Sequence, residues 1–340
     1  MKIFLVGEAA NHHRVLDEAL GGKFAIVDLP REAASTAAHD SAIGVDDVVV
    51  SLRFSRKGLP VPAFRLLHVP GAGLDGIDFE SLAADCGVCN VFEHEVPIAE
   101  YVCAAMLERE IGIGPMGRAF SAGRWSDQYR ARVQHGEIAG KTLALIGYGR
   151  IGQAIAKRAR AFDMRVVAMD PYASADAHLD EMCRPDQLAL LLGEADYVAV
   201  VCPLNDATRG LFNAQRLAKM KPDAVLINVS RAEIVDEKDL YEALSAQRIG
   251  GAVLDVWYRY PAGADDQVPP STMPFADLPN AVCTPHSAAW TRNLPKRRYA
   301  LIAKNIERLA MGEQLVNVVR KISSEPASDL TSEPPSKNPP

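Results

Sequence analysis

At 340 residues, 48% hydrophobic and 24% charged, the chain has the makeup of an ordinary globular protein with material for about two domains. A net charge of −6 speaks against nucleic acid or a polybasic membrane contact as partner, and no run of about 18 apolar residues is available to cross a bilayer. The opening MKIFLVGEAANHH starts as a strand and lacks the apolar core and cleavage site of a secretory signal, so a cytoplasmic protein is expected.

In chain order, the first hundred residues hold five strand candidates: IFLVG (3–7), AIVD (25–28), DVVVS (47–51), LLHV (66–69) and GVCNV (87–91). The pair CGVC (Cys86 to Cys89) has a metal or redox spacing, but no second such pair or histidine pair follows. It reads as buried, reduced thiols at the start of a strand. EVPIAEYVCAAMLERE is a helix with Pro97 near its first turn. Six more strand candidates follow: TLALIG (142–147), RVVAM (165–169), YVAVVC (197–202), AVLIN (224–228), GAVLDV (251–256) and AVCT (281–284). KRRYALIAKNIERLAMG is a second long helix, ending at Gly312. Residues 321–340, rich in Ser, Pro and Glu, have little to bury and are expected to be disordered. Continuous apolar strands alternating with helices predict an α/β protein with two doubly wound parallel sheets.

The string KTLALIGYGRIGQAIAKRARAF contains Gly147, Gly149 and Gly152 as G-x-G-x-x-G, after a strand and at the start of a helix. In that setting Gly147 makes the tight turn, Gly149 admits a pyrophosphate to the backbone, and Gly152 lets helix pack on strand. The helix N-terminus offers free N–H groups to phosphate. Cofactor contacts are expected from Tyr148, Arg150 and Ile151 within the motif. The next strand ends in Asp170, followed by Pro171; an acid there binds the adenosine ribose and repels a 2′-phosphate, which favours NAD over NADP.

Seven ordered blocks then resemble the D-isomer-specific 2-hydroxyacid dehydrogenases: VPGAGLDGID (69–78), VPIAEYV (96–102), GKTLALIGYGRIG (140–152), VCPLNDATRGLF (201–212), INVSRAEIVD (227–236), GAVLDV (251–256) and TPHSAAW (284–290). The resemblance covers nearly all of residues 45–318. It implies a flavodoxin-like substrate-binding domain from both chain ends (1–100 and 292–320), an inserted Rossmann NAD domain (101–291) and a homodimer. It also places Cys202, Pro203, Thr208, Val229 and Ser230 in the cofactor groove and sets Asp255 against the nicotinamide carboxamide.

Two residues stand where open sheets bind ligands, past strand carboxyl ends. Arg231 offers a guanidinium that can grip a substrate carboxylate in two places. His286 offers an imidazole to take or return the hydroxyl proton as hydride leaves or reaches C2. The other seven histidines form no ligand set, so no metal is expected. The loop Gly71, Ala72 and Gly73 can cradle a carboxylate with backbone N–H groups, and Arg53 is a candidate for a second anionic group.

One departure stands out. In most of the family a glutamate five residues beyond the aspartate of the LDV block pairs with the histidine; formate dehydrogenases carry glutamine there. Here that place is Tyr260, in VWYRYP. A phenol can orient the ring but cannot stabilise imidazolium as a carboxylate does, so a histidine of lowered pKa is expected. The alternative is that Tyr258 and Tyr260 only pack, and Asp265 or Asp266 reaches the histidine. The leading expectation is an NAD-dependent oxidoreductase acting on a small anionic 2-hydroxy or 2-oxo acid. Two others stay open: oxidation of an anion such as formate or phosphite, and a non-catalytic NAD(H)-sensing protein.

Overall fold

Val48, Val49 and Val50 point alternately into two apolar clusters, one on each face of their sheet, and this explains why the strands are unbroken apolar runs. The computed structural model describes residues 1–261, 263 and 265–322. The expected disorder of the tail therefore falls, from residue 323 on, outside the described residues. The chain divides into two compact units: Met1–Glu93 with the described residues from Arg292 onward, and His94–Thr291. The first boundary lies seven residues earlier than expected. The helix that starts there packs along its length on the nucleotide-motif helix, through Ile98, Val102 and Met106.

The chain begins with β1 (Lys2–Val6), α1 (His13–Leu20), β2 (Ala25–Leu29), β3 (Val48–Val50), β4 (Leu66–His68) and β5 (Gly87–Cys89). In the second unit come α2 (Glu95–Ile111), α3 (Ile113–Ala119), α4 (Trp125–Arg130), β6 (Thr142–Ile146), α5 (Arg150–Ala161), β7 (Arg165–Met169) and β8 (Glu181–Cys183). They are followed by α6 (Leu188–Glu194), β9 (Tyr197–Val200), α7 (Ala214–Leu217), β10 (Val225–Asn228), α8 (Glu237–Ser245), β11 (Gly251–Leu254) and β12 (Ala281–Cys283). Back in the first unit are α9 (Leu294–Met311), capped by Gly312 at φ 71°, and β13 (Val318–Arg320).

The first sheet has the order β13-β5-β4-β3-β1-β2, parallel except for β13 against β5. Without β13 this is the flavodoxin-like order, whose ligand edge lies where β1 and β3 diverge. The second sheet has the order β12-β11-β10-β9-β6-β7-β8, all parallel. It reverses between β6 and β9, the switch point at which such sheets take dinucleotides. Leu143 and Leu145 of β6 enter one core and Ala144 and Ile146 the other. Two strands escaped the sequence reading: β8 and β13 are each only three residues long, too short to carry a periodic signal. Beyond β13, Ile322 still packs on the first unit's core. No described helix is long and apolar enough to cross a membrane.

Candidate active site

The nucleotide edge of the second unit is built on steric necessity. Gly147 sits at φ 105°, and a Cβ on it would lie 2.7 Å from Cys202 N. A Cβ on Gly152 would lie 2.6 Å from Gly147 O. Both positions exclude side chains so that α5 can start directly under β6 and β9. Gly149 is different: nothing lies within 4 Å of its hypothetical Cβ, so its bare surface leaves room for a pyrophosphate at the α5 N-terminus. Arg150 is exposed in the first turn, while Ile151 turns partly into the core.

Asp170, one residue past β7, accepts hydrogen bonds from the backbone N–H groups of Tyr148 (2.8 Å), Tyr172 (2.8 Å) and Ala173 (3.0 Å). Burial works against its charge, but the three donors outweigh it and hold its carboxyl below the usual range. Pro171 lies exposed in that turn. Tyr148 contributes to this edge through its backbone only. Its side chain is fully buried and its hydroxyl donates to Asp176 Oδ1 at 2.6 Å.

Opposite, the loops after β9 and β10 are tied together by Ser230 Oγ donating to Cys202 O at 2.5 Å. Cys202 is buried and its thiol is pushed up to about 11, so it stays protonated. Thr208 Oγ1 donates to Pro203 O at 2.7 Å, closing that loop. Val229 is buried beneath. Asn228, which sequence reasoning passed over, shapes the turn: it donates to Arg231 O at 3.0 Å and accepts from Ser230 N at 3.1 Å. A dinucleotide fits this set, with glycines for phosphate, a fixed acid for ribose and a groove of short polar loops.

The chemistry-bearing edge lies at the ends of β10, β11 and β12. Arg231 follows β10 by three residues, and its Nη1 donates to Ser230 O at 2.8 Å. His286 follows β12 and holds φ 55°, an unusual backbone state for any side chain-bearing residue and one found where the surroundings enforce it. Here the enforcement is visible. Asp255, fully buried at the end of β11, accepts from Thr284 Oγ1 (2.5 Å), Ser287 N (2.8 Å) and Ala288 N (2.8 Å). Since the Thr284 proton goes to the carboxylate, Tyr101 of α2 donates its own to Thr284 Oγ1, at 2.7 Å.

Trp257 joins the two strand ends. Its indole Nε1 donates to Thr284 O at 2.8 Å, and its backbone N–H donates to the Tyr260 hydroxyl at 3.1 Å. That hydroxyl lies 2.7 Å from His286 Nδ1. The phenol, rather than a carboxylate of Asp265 or Asp266, therefore stands on the imidazole. The two tyrosines part company, because Tyr258 turns away to donate to Val235 O at 2.9 Å. Burial lowers the His286 pKa below its ordinary value; Asp255 opposes this and Arg231 adds to it. The influence of Arg231 on His286 places both in one electrostatic neighbourhood. Thr284, Trp257 and Tyr101 were not singled out from the sequence, since each acts through a partner remote in the chain.

In the first unit, Arg53 is exposed past β3 and its carbonyl accepts from Ser51 Oγ at 2.6 Å. Past β4, Gly71 O accepts from Val91 N at 3.2 Å and Ala72 O from Asn90 Nδ2 at 3.0 Å, with Gly73 exposed at the tip. The glycine that joins these loops is Gly76: a Cβ there would lie 2.4 Å from Leu52 O. It lets the segment after β4 close against Leu52 and Arg53.

The family model for the NAD-binding domain of D-isomer specific 2-hydroxyacid dehydrogenases matches residues 103–288. The chain is similar to a D-3-phosphoglycerate dehydrogenase of Methanocaldococcus jannaschii, 34% identical over 253 residues. That match covers 73% of this chain and 46% of the relative, so the chain spans about half of that protein's length. An (S)-sulfolactate dehydrogenase of Chromohalobacter salexigens is 34% identical over 250 residues, 73% of this chain and 78% of that one. The solved structure of a D-isomer specific 2-hydroxyacid dehydrogenase family protein from Aeromonas salmonicida matches with TM-score 0.73 and 25% identity, over 94% of this chain and 98% of that one.

Proposed function

The chain belongs to the D-isomer specific 2-hydroxyacid dehydrogenase family, and from that membership we propose that it is an NAD-dependent oxidoreductase for a small 2-hydroxy or 2-oxo acid. Bound nicotinamide supplies or receives the hydride at C2. Arg231 grips the substrate carboxylate and polarises the neighbouring carbonyl oxygen. His286 passes the proton to or from that oxygen. Within the first unit, Gly71, Ala72 and Gly73 offer backbone N–H groups suited to a carboxylate, and Arg53 offers a cation suited to an anionic group. The observation that carries the reading is the imidazole of His286, held through Nδ1 by Tyr260 within the field of Arg231.

Asp170, held ionised by three backbone donors, supports NAD over NADP. A second copy of the chain is the partner that the segment after α2 favours. Ile113, Met116, Phe120, Trp125, Tyr129 and Val133 are all exposed there. Trp125 sits between Phe120 and Tyr129 in tilted ring contacts at 6.2 and 5.4 Å, and Arg132 lies over Tyr129 at 4.2 Å. Such a patch of aromatic, Met and Arg side chains has the composition of an interface core. Six free cysteines, five of them buried, suit the reducing cytoplasm.

The test is a panel of 2-oxo acids, including glyoxylate, hydroxypyruvate and pyruvate, with NADH and NADPH. Turnover is expected with NADH, and His286→Ala should lower kcat about 100-fold or more without abolishing NADH binding. No turnover of any acid, with NADH still bound, would leave an NAD(H)-sensing role instead.

A further inference from the structure

A phenol on His286 differs from a carboxylate in that it has a proton of its own. A phenol oxygen has one O–H to give and accepts best in the plane of its ring. The Trp257 N–H, at 3.1 Å, takes the acceptor position. The O–H is then directed to the remaining neighbour, His286 Nδ1 at 2.7 Å. A neutral imidazole that accepts at Nδ1 carries its proton on Nε2. A carboxylate in the same place would bind an Nδ1–H and leave a lone pair on Nε2. The resting histidine is thus set as a proton donor, where a carboxylate partner would set it as a base.

We propose that Tyr260 and His286 form a two-proton relay for reduction of a 2-oxo acid, with the phenol as ultimate donor. The inference rests on the function proposed above. When hydride arrives at C2, the π electrons of the carbonyl move onto its oxygen. That oxygen takes the Nε2 proton, and the N–H electrons remain in the ring. Nδ1 in turn takes the phenol proton, and the O–H pair remains on Tyr260 as phenolate. One hydride and one proton have been added to the substrate, and His286 is neutral again with its proton on Nδ1. The resting state returns when Nδ1 gives that proton back to the phenolate and Nε2 of the exposed His286 takes one from solvent. An ordinary phenol near pKa 10 gives its proton downhill to an alkoxide about as basic as hydroxide, near 15.7, and burial, which raises the Tyr260 pKa, narrows that gap.

The charged groups facing the pair are Arg231, Asp255 and Glu233, with the Tyr101 phenol behind Thr284. Burial raises the Tyr260 pKa and the two carboxylates add to this; the Trp257 N–H and Arg231 oppose it without reversing it. Oxidation of a hydroxy acid must begin from the phenolate. The chain is therefore a reductase near neutral pH, and its oxidation rate should climb with pH toward the phenol pKa.

The first test needs no turnover. In the full chain labelled with 15N-histidine at pH 8, the His286 signal, identified by its loss in His286→Gln, should show Nε2 protonated and Nδ1 bare. Tyr260→Glu should reverse the two. An Nδ1–H tautomer in the wild type would overturn the relay. The second test is single-turnover reduction of glyoxylate and hydroxypyruvate by NADH. Wild type should vary less than about threefold from pH 5.5 to 8. Tyr260→Phe, which needs imidazolium, should fall at least about 30-fold over its low-pH plateau, given a histidine pKa at or below 6.5. A wild type that falls in parallel with Tyr260→Phe overturns the relay while leaving the dehydrogenase reading intact. No reduction at all, with NADH bound, sinks both.

Discussion

Thr284 Oγ1 donates to Asp255 Oδ1 across 2.5 Å, and that bond lies under the loop that carries His286. Asp255 is the loop's anchor: three donors converge on one buried carboxylate, and the left-handed backbone of His286 is held between them. Asp255→Asn leaves one acceptor oxygen for three donors and turns an NH2 toward them. We expect a stability loss of about 2 kcal/mol or more and a fall in kcat/KM of about 100-fold from misplacement of the imidazole. Thermal melts and initial rates on the same preparations check both.

Two glycines of one motif should respond in opposite ways. Gly147→Ala meets both a φ of 105° and Cys202 N at 2.7 Å, so it should unfold at a clearly lower temperature. Gly149→Ala has open space around its new methyl and should melt like wild type while weakening NADH at least about tenfold. NADH fluorescence titration beside a melting curve separates the two effects.

Removing the charge at Asp170 should move cofactor choice. Asp170→Ser relieves repulsion of a 2′-phosphate and is expected to shift the ratio of kcat/KM for NADH over NADPH by about tenfold or more toward NADPH. An unchanged ratio would show that the acid does not read the ribose.

His68 links folding to pH. It is fully buried at the end of β4, where Asn305 Nδ2 donates to its Nε2 at 3.0 Å. Burial lowers its pKa to about 4. Between that value and the unfolded value near 6.5 the unfolded chain binds the extra proton, so stability falls as pH drops through this window. The group should cost about 2.5 kcal/mol by pH 4.5 relative to pH 7. Urea unfolding at the two pH values should show this part of the loss in wild type and not in His68→Gln.

The exposed aromatic segment gives the last test. Trp125→Asp puts a charge between Phe120 and Tyr129. If this face joins two copies, light scattering should show a dimer in wild type and a monomer in the variant, with an unchanged circular dichroism spectrum.

Much of this molecule is legible along the chain. Apolar runs buried on both faces announce parallel strands, and the spacing of Gly147, Gly149 and Gly152 announces a turn that only bare backbone can make. Asp170, Arg231 and His286 could be placed at strand carboxyl ends for the same local reason. What the chain order does not carry is direction. Tyr101 and Thr284 lie 183 residues apart, and Tyr148 sits in the glycine motif yet sends its ring into the core. The strands β8 and β13 exist because neighbours pair with them, since their own residues are too few to signal a strand. Above all, the sequence offered a tyrosine where a glutamate was expected, and either packing or hydrogen bonding would have satisfied it. Only the folded chain brings the Trp257 N–H and His286 Nδ1 to one phenol oxygen. Local pattern sets where a side chain leaves the backbone, and long-range packing sets what its polar atoms meet.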